Sequence, residues 1–244
     1  VQQVRDNPFI PEFTRNKSGM QADGVLIDDD ARNATAFWRG AAKMASDMAE
    51  SLSFVEVHKQ QANRVLEPFA WHTALITATE WDNFFALRLH PDAAPEIQRA
   101  AQVMKDAMDG STPKPLEVGE WHLPYVEQSE MGYGQRDDPG LLEHPEATLR
   151  MISVARCAAV SYERQHAQKP VEEYVKRHDA LKASGHWSPF EHQAKVASPD
   201  DLRRKALHAW DDERQRFLPA WIGNFRVPWL QYRKMFWGED VFRP

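Results

Sequence analysis

Arg64, Asn83 and Arg88 are the residues whose types and spacing best suit the binding of an anion or a planar polar ring edge. An arginine guanidinium stays charged and pairs bidentately with phosphate or with an oxo/imide edge. Asn83 and Arg88 lie within about one and a half turns of each other if this stretch is helical. Arg64 needs only the chain reversal at Pro68 to face the same place. The three side chains are therefore candidates for one ligand site.

A second interpretation of the two arginines is purely structural. Arg64 can pair with Glu67 at i+3, and Arg88 can pair with Asp92 at i+4, as helical residues commonly do. The sequence leaves both interpretations open, and the structural one is the more common fate of such arginines.

The stretch between the arginines predicts a strand that is followed at once by a helix. His72 to Thr79 is rich in β-branched residues, which favour strands. Thr79 can cap the helix, since Asp82 follows at the spacing of a capping box. Pro91 then ends the helical pattern. A further helical segment, His58 to Leu66, is predicted before the strand.

Ser188, Pro189 and Glu191 form the second informative pattern, within the sequence SPFEH. Ser188 suits the N-cap of a helix, Pro189 its first position and Glu191 its third. The free amides of a helix start attract anionic groups such as phosphate. An ordinary structural cap is the simpler interpretation of the same residues, and both remain open.

Apolar residues at helical spacing predict further helices. The longest spans about Ala31 to Leu52 and should bury a stripe that includes Trp38 and Met48. The charged stretch Pro199 to Phe217 predicts a solvated or interface helix. Three more helices and one strand are also predicted: Pro95 to Met108, Glu146 to Ser161, Val171 to Ser184 and the strand Gln193 to Val196.

Two irregular stretches are rich in aromatic residues. Ser111 to Asp138 predicts a long loop, in which Trp121 and His122 are either part of a lid or simple surface packing. The tail after residue 223 mixes aromatic residues with Arg226 and Arg233. We favour packing of this tail over stacking on a base or a flavin ring.

Length and composition describe a globular chain. It has 244 residues, 42% of them hydrophobic, which is enough to bury a substantial core as one large or two modest domains. We interpret 1–244 as a single domain with an N-terminal arm at 1–30 and a C-terminal extension at 199–244. The net charge of −6 argues against general binding to nucleic acid or to anionic membranes. No apolar run approaches the roughly 20 residues of a membrane span.

Cys157 is the only cysteine, so the chain forms no intrachain disulfide and suits a reducing cytoplasm. No GxGxxG, GxxxxGK[ST], HExxH or CxxC motif occurs, which removes the usual anchors for Rossmann, P-loop and zinc-hydrolase interpretations. The ten histidines are scattered, and His186 and His192 lack a recognisable set of further ligands. We expect no metal.

Two separated blocks of the chain resemble the flavin-dependent thymidylate synthases. In one, ARCAAVSY at 155–162 and ASGHWSPFEH at 183–192 are similar to the family's opening Ala-Arg-Val-Ser segment and its His-x-(Ser/Thr)-Pro-Phe-Glu-His motif. In the other, Arg64, Asn83 and Arg88 are similar to a late segment, where an arginine, a strand and an Asn-Phe-Leu-x-Leu-Arg helix build the nucleotide site. Together the blocks cover roughly half of the chain, and their joint occurrence is specific.

Two departures from the family pattern shape the expectation. The blocks occur in reversed order, which implies a circularly permuted, phage-type member, since permutation is tolerated when chain termini lie close together. The family's Arg-His-Arg signature, which grips flavin and nucleotide, does not occur in the 244 residues. In a permuted chain its place is before Val1, so we expect it upstream in the complete gene product. A homologue that lost the motif is the alternative.

The resemblance implies roles for individual residues. Arg88 matches the arginine credited with activating the uracil ring of dUMP by stabilising negative charge at N3. Arg64 matches an arginine that helps to hold the same nucleotide. At 77–79 this chain has threonines where the family often has Asn and Arg. Contacts with the flavin, or positions lining its side of the site, are implied for a larger set: Asn83, Thr77, Thr79, Ser161, His186, Ser188 and Glu191.

The activity implied by the resemblance is reductive methylation of dUMP to dTMP. Methylenetetrahydrofolate gives the carbon, NADPH reduces FAD, and no protein nucleophile is needed. The implied fold is α+β, a mixed β-sheet with long helices. The implied assembly is a homotetramer with sites between subunits, in the cytoplasm of a bacterium or of a phage-infected host. The alternatives are a hydroxymethylating enzyme for a related pyrimidine nucleotide, or a degenerate non-catalytic homologue that binds nucleotide or flavin.

Overall fold

The computed structural model describes residues 1–18, 23–127, 145–160, 169–201, 203, 210–211, 216–217, 225–226, 228–236 and 239. Contacts divide the chain into two compact units. Unit 1 contains Val1–His72 and Asp82–Ser111, and unit 2 contains Thr73–Trp81 and Thr112–Pro244. The interpretation of 1–244 as one domain stays a prediction.

Unit 1 is helical in its described residues. The helices predicted at Ala31–Leu52 and Pro95–Met108 are both confirmed, and their observed ends lie within three residues of the predicted ones. Its helices are α1 Gln2–Asp6, α2 Asp28–Phe54, α3 Lys59–Ala62, the 3₁₀ helix Asn63–Phe69, α4 Asp82–Arg88 and α5 Pro95–Asp109. Three aspartates in the first turn of α2 favour its start through the helix dipole.

Small residues on α2 let α1 and the 3₁₀ helix pack closely against it. Ala42 and Ala49 are buried with Val4, Leu66 and Phe69 in one cluster. The partly buried ring of Trp38 on α2 also packs against this cluster. The predicted burial of Met48 is wrong, since this side chain is 55% exposed. Core packing here uses the alanine face of α2, and the larger apolar side chains lie on another face.

The described residues of unit 2 form two α-helices, two short 3₁₀ helices and small antiparallel sheets. The helices are α6 Pro145–Cys157, α7 Val171–Ala183 and the 3₁₀ helices Ser188–Glu191 and Tyr232–Met235. The strands are β1 Trp121–His122, β2 Ala194–Val196, β3 Trp210–Asp211, β4 Arg216–Phe217 and β5 Trp229–Gln231. One sheet has the order β1-β2-β5 and the other pairs β3 with β4.

The helices and small sheet are compatible with the expected α+β class. The pairings among the described strands are antiparallel, so the expected mixed sheet does not appear in this part of the chain. The predicted strand Gln193–Val196 and helix Val171–Ser184 are confirmed as β2 and α7. α6 ends at Cys157, earlier than the predicted Ser161. No helix among the described residues is long and apolar enough to cross a membrane.

Two local predictions are wrong. His72 to Thr79 lies in no strand and pairs with none of β1, β2 and β5; its Thr77 and Thr79 form side-chain contacts with His192 and Arg226 instead. Pro199 to Phe217 is not one helix, because β3 and β4 pair within it. Trp121 and His122, for which both a lid and surface packing were considered, form β1. Residues 128–138 of the predicted loop lie outside the described residues.

Candidate functional site

The predicted site residues fall in both units. Unit 1 contains Arg64, Asn83 and Arg88, and unit 2 contains Thr77, Thr79, His186, Ser188 and Glu191. Ser161 lies outside the described residues.

In unit 1 the two predicted nucleotide-binding residues, Arg64 and Arg88, and the predicted flavin contact Asn83 are exposed. Arg64 lies on the 3₁₀ helix Asn63–Phe69, whereas Asn83 and Arg88 lie on α4, which packs against α5. The local ion pairs of the structural interpretation do not form. Asp92 lies instead 3.5 Å from Nδ1 of His90. With the described residues of unit 1, neither arginine forms an ion pair, and both side chains are exposed.

In unit 2 a helix C-terminus places His186. Gly185 has a φ of 69°, a left-handed conformation that a residue with a Cβ adopts only with strain. The amide of His186 donates to the carbonyl of Leu181 at 2.9 Å, and that of Gly185 donates to Lys182 at 3.1 Å. These two bonds complete a Schellman motif at the end of α7. The chain therefore leaves α7 in a fixed direction toward Ser188.

The 188–191 turn, Ser188–Glu191, differs from the predicted helix start. It is a four-residue 3₁₀ helix whose N-cap is Trp187, with no side-chain capping bond. Pro189 and Phe190 are buried and the chain continues into β2, so the helix stops after one turn. Because a single turn sums few peptide dipoles, the geometry does not support the anion site predicted at Ser188. Ser188 itself is exposed.

An aromatic cluster lies beneath this turn. The ring of Phe190 is fully buried, 5.1 Å from His178, 5.4 Å from Trp187, 5.9 Å from Tyr232 and 5.5 Å from Phe236, measured between centroids. Tyr232 and Phe236 belong to the aromatic tail. The preferred interpretation of the tail as packing is therefore confirmed for these two residues.

The segment 73–81 meets the turn and the tail. Thr77 Oγ1 lies 3.0 Å from His192 Nδ1, and the amide of Arg226 donates to Thr79 Oγ1 at 2.8 Å. Nε of Arg226 pairs with Glu80 at 2.7 Å. Thr79 consequently does not act as the predicted helix cap, since its hydroxyl serves a tertiary contact. These contacts bring together three stretches that are distant in sequence: 77–80, 188–192 and the tail from 226.

Charged residues of the tail form ion pairs with the turn and with each other. None of them was among the predicted site residues. Arg233 pairs with Glu191 of the turn and, through Nε, with Glu239 at 2.6 Å. Lys234 pairs with the same Glu239 at 2.6 Å. The available sequence signal was the interleaving of basic and aromatic residues. It could not name the partners, because they lie in another part of the chain.

Burial controls the ionisation of two side chains near the site. Burial lowers the pKa of His192, while the neighbouring Glu191 carboxylate raises it and His122 lowers it further. Burial also raises the pKa of Cys157 to about 12, against the opposing hydrogen bonds to Ser153 and Gln193. A thiol with this pKa stays protonated near neutral pH and is a poor nucleophile.

Comparisons with known proteins assign neither a family nor a function to the chain. The chain matches no protein-family model, no curated protein and no solved structure. Among the described residues, no group of three or more His, Cys, Asp and Glu side chains is placed to hold a metal ion.

Proposed function

We propose that this protein is a flavin-dependent thymidylate synthase that methylates dUMP reductively to dTMP, with methylenetetrahydrofolate, FAD and NADPH. The observation that carries the proposal is the contact between Thr77 and His192. It joins two stretches that were matched separately to flavin-binding positions of that family. Their meeting in unit 2 supports one site built from both.

The described residues of unit 2 fit a flavin in part. His186 and Ser188 are exposed beside the turn and can donate hydrogen bonds to a polar ring edge. Thr77, Thr79 and Glu191 already have protein partners, so we assign them to the support of the site. When bound, FAD supplies the hydride that converts the transferred one-carbon unit into a methyl group.

Arg64 and Arg88 of unit 1 are the proposed nucleotide-binding residues. The exposed guanidinium of Arg64 suits the phosphate of dUMP, and that of Arg88 suits the imide edge of uracil. An adjacent fixed cation lowers the pKa of an acidic group by roughly 1–3 units, which favours negative charge at N3. The protonated Cys157 agrees with a reaction that uses no protein nucleophile.

Spectra and product analysis test the proposed function directly. Protein expressed from its complete gene is expected to be yellow, with the absorbance bands of bound flavin. Incubation with dUMP, methylenetetrahydrofolate and NADPH should yield dTMP by mass, and omission of NADPH should abolish the product. A hydroxymethylated product would identify the related enzyme instead. Colourless protein that forms no product would support the non-catalytic alternative and contradict the proposal.

The proposal includes self-association into a homotetramer with sites between subunits, and an apolar face of α2 supports it. Phe37, Met44 and Met48 recur at i, i+7 and i+11, a spacing that puts them on one side of a helix. All three are exposed, Phe37 by 77%. Exposed apolar residues aligned in this way are typical of helix–helix interfaces between subunits.

Phe37→Glu combined with Met44→Glu is expected to convert the oligomer into smaller species. Each buried apolar side chain of this size contributes about 1.5–3 kcal/mol, so losing two per subunit should raise the dissociation constant by more than about 100-fold. Light scattering after gel filtration measures the mass. Lys43→Glu, on the same helix but outside the apolar face, is the control. An unchanged mass of the double variant would exclude this face as an interface.

A further inference from the structure

Three consecutive residues of the tail of unit 2 contact the 188–191 turn. Gln231 Nε2 donates to the carbonyl oxygen of Glu191 at 2.9 Å. The ring of Tyr232 stacks on that of Phe190. Arg233 pairs with the Glu191 carboxylate through Nη1. Backbone, ring and carboxylate of the turn are therefore each held by the tail.

Arg233 is held in turn by a deeper carboxylate. Its Nε lies 2.6 Å from Oε2 of Glu239, whose other oxygen lies 2.6 Å from Nζ of Lys234. The Glu239 side chain is 7% exposed, against 29% for that of Glu191. A buried carboxylate needs cationic and hydrogen-bonding partners, so Glu239 strongly favours this pairing. The pairing fixes the plane of the guanidinium and directs its Nη1 toward Glu191.

The 188–191 turn is connected to Thr77 through His192. His192 follows Glu191 directly in the chain, and its Nδ1 lies 3.0 Å from Thr77 Oγ1. A continuous series of contacts thus runs from Glu239 through Arg233 and Glu191 to the Thr77–His192 contact. Glu239 lies at the start of this series, and its side-chain partners are Arg233 and Lys234, both in the tail.

We propose that Arg233 is a positioning residue that holds the 188–191 turn and the Thr77–His192 contact, and that Glu239 acts on the turn through Arg233. The effect on the turn is independent of any ligand. Its consequence for flavin binding rests on the proposed function.

Hydrogen exchange measures the effect on the turn without a ligand. In Arg233→Gln, amides within 186–193 are expected to exchange at least about 10-fold faster, while peptides of unit 1 are unchanged. Glu239→Gln should speed the exchange of the same amides. Arg233→Lys should restore part of the protection. Arg203→Gln, which removes an exposed arginine paired with Asp200, is the control and should change nothing.

Titration of His192 by NMR separates positioning from simple destabilisation. In the wild type, Arg233 offsets the negative charge of Glu191 near His192. Without Arg233, the uncompensated carboxylate should raise the pKa of His192 by roughly 1 unit. Arg233→Gln combined with Glu191→Gln should return it toward the wild-type value. His122 also affects the pKa of His192, and it is unchanged in all of these variants.

Flavin binding distinguishes the failure of this inference from that of the proposed function. If the wild type binds FAD, Arg233→Gln should raise its dissociation constant at least about 10-fold, and Glu191→Ala should weaken flavin retention as well. A wild type that binds no FAD contradicts the proposed function but leaves the exchange and titration results valid. Unchanged exchange and an unchanged His192 pKa would overturn the inference. If Arg233→Gln does not fold, the same measurements on Arg233→Lys and Glu239→Gln test the inference.

Discussion

Arg88→Ala is expected to lower kcat for dTMP formation by at least about 10²–10³-fold, with flavin absorbance retained. Arg88 lies exposed on α4 and forms no ion pair with the described residues of unit 1. Its loss therefore removes only the proposed ligand contact and leaves no buried charge behind. In the proposed reaction the guanidinium stabilises negative charge at N3 of uracil, and alanine leaves that charge without its cation. Steady-state product formation, measured by mass, gives kcat.

The pH dependence of kcat distinguishes this role from a structural one. Without the cation, the pKa of the N3 group is no longer lowered, so the rate profile of Arg88→Ala should shift to higher pH by roughly 1–3 units. Arg32→Ala, which removes an exposed arginine of α2 paired with Asp29, is the matched control and should retain wild-type kcat. Unchanged turnover in Arg88→Ala would refute the assigned role.

Phe190→Ala is expected to lower the free energy of unfolding by about 3–5 kcal/mol. The Phe190 side chain is 0% exposed and lies against His178, Trp187, Tyr232 and Phe236. Alanine would leave a cavity among rings that cannot close around it. The loss should appear as a lower urea midpoint in tryptophan fluorescence. Because the ring anchors the 188–191 turn, flavin retention should fall as well.

A phenylalanine outside the core provides the comparison. Phe54 at the end of α2 is 88% exposed, so Phe54→Ala should change stability by less than about 0.5 kcal/mol. Phe190→Leu, which keeps most of the buried volume, should fall between the two alanine variants. Equal midpoints for Phe190→Ala and Phe54→Ala would show that the aromatic cluster does not stabilise the turn.

The helices were the most predictable part of the fold. The patterns behind α2, α5 and α7 are local: apolar residues repeat at helical spacing, acids stand in the first turns, and Gly110 and Gly185 follow the ends of α5 and α7. Each signal acts within a few residues of the element that it specifies. β2 was predictable for a similar reason, because the SPFEH turn fixed where it could begin.

The errors occurred where a residue's partner is distant in sequence. Thr79 has the spacing of a helix cap, yet its hydroxyl accepts the amide of Arg226. His72 to Thr79 has the composition of a strand, but no free sheet edge pairs with it. Ser188 has the pattern of a cap, but burial of Pro189 and Phe190 leaves only one turn. In each case tertiary contacts outweighed a local preference of about 1 kcal/mol.

The sequence by itself determined α2, α5 and α7, the position of β2, the absence of a disulfide within the 244 residues and the resemblance from which the proposed site residues follow. Only the tertiary structure decided that 77–80, 188–192 and the tail meet in unit 2, and that Arg233 and Glu239 support the turn. Local periodicity and capping are read within a few residues, whereas ion pairs and ring contacts depend on which segments folding brings together. Arg233 has the same charge in any context, and only the fold places Glu191 of the 188–191 turn beside it.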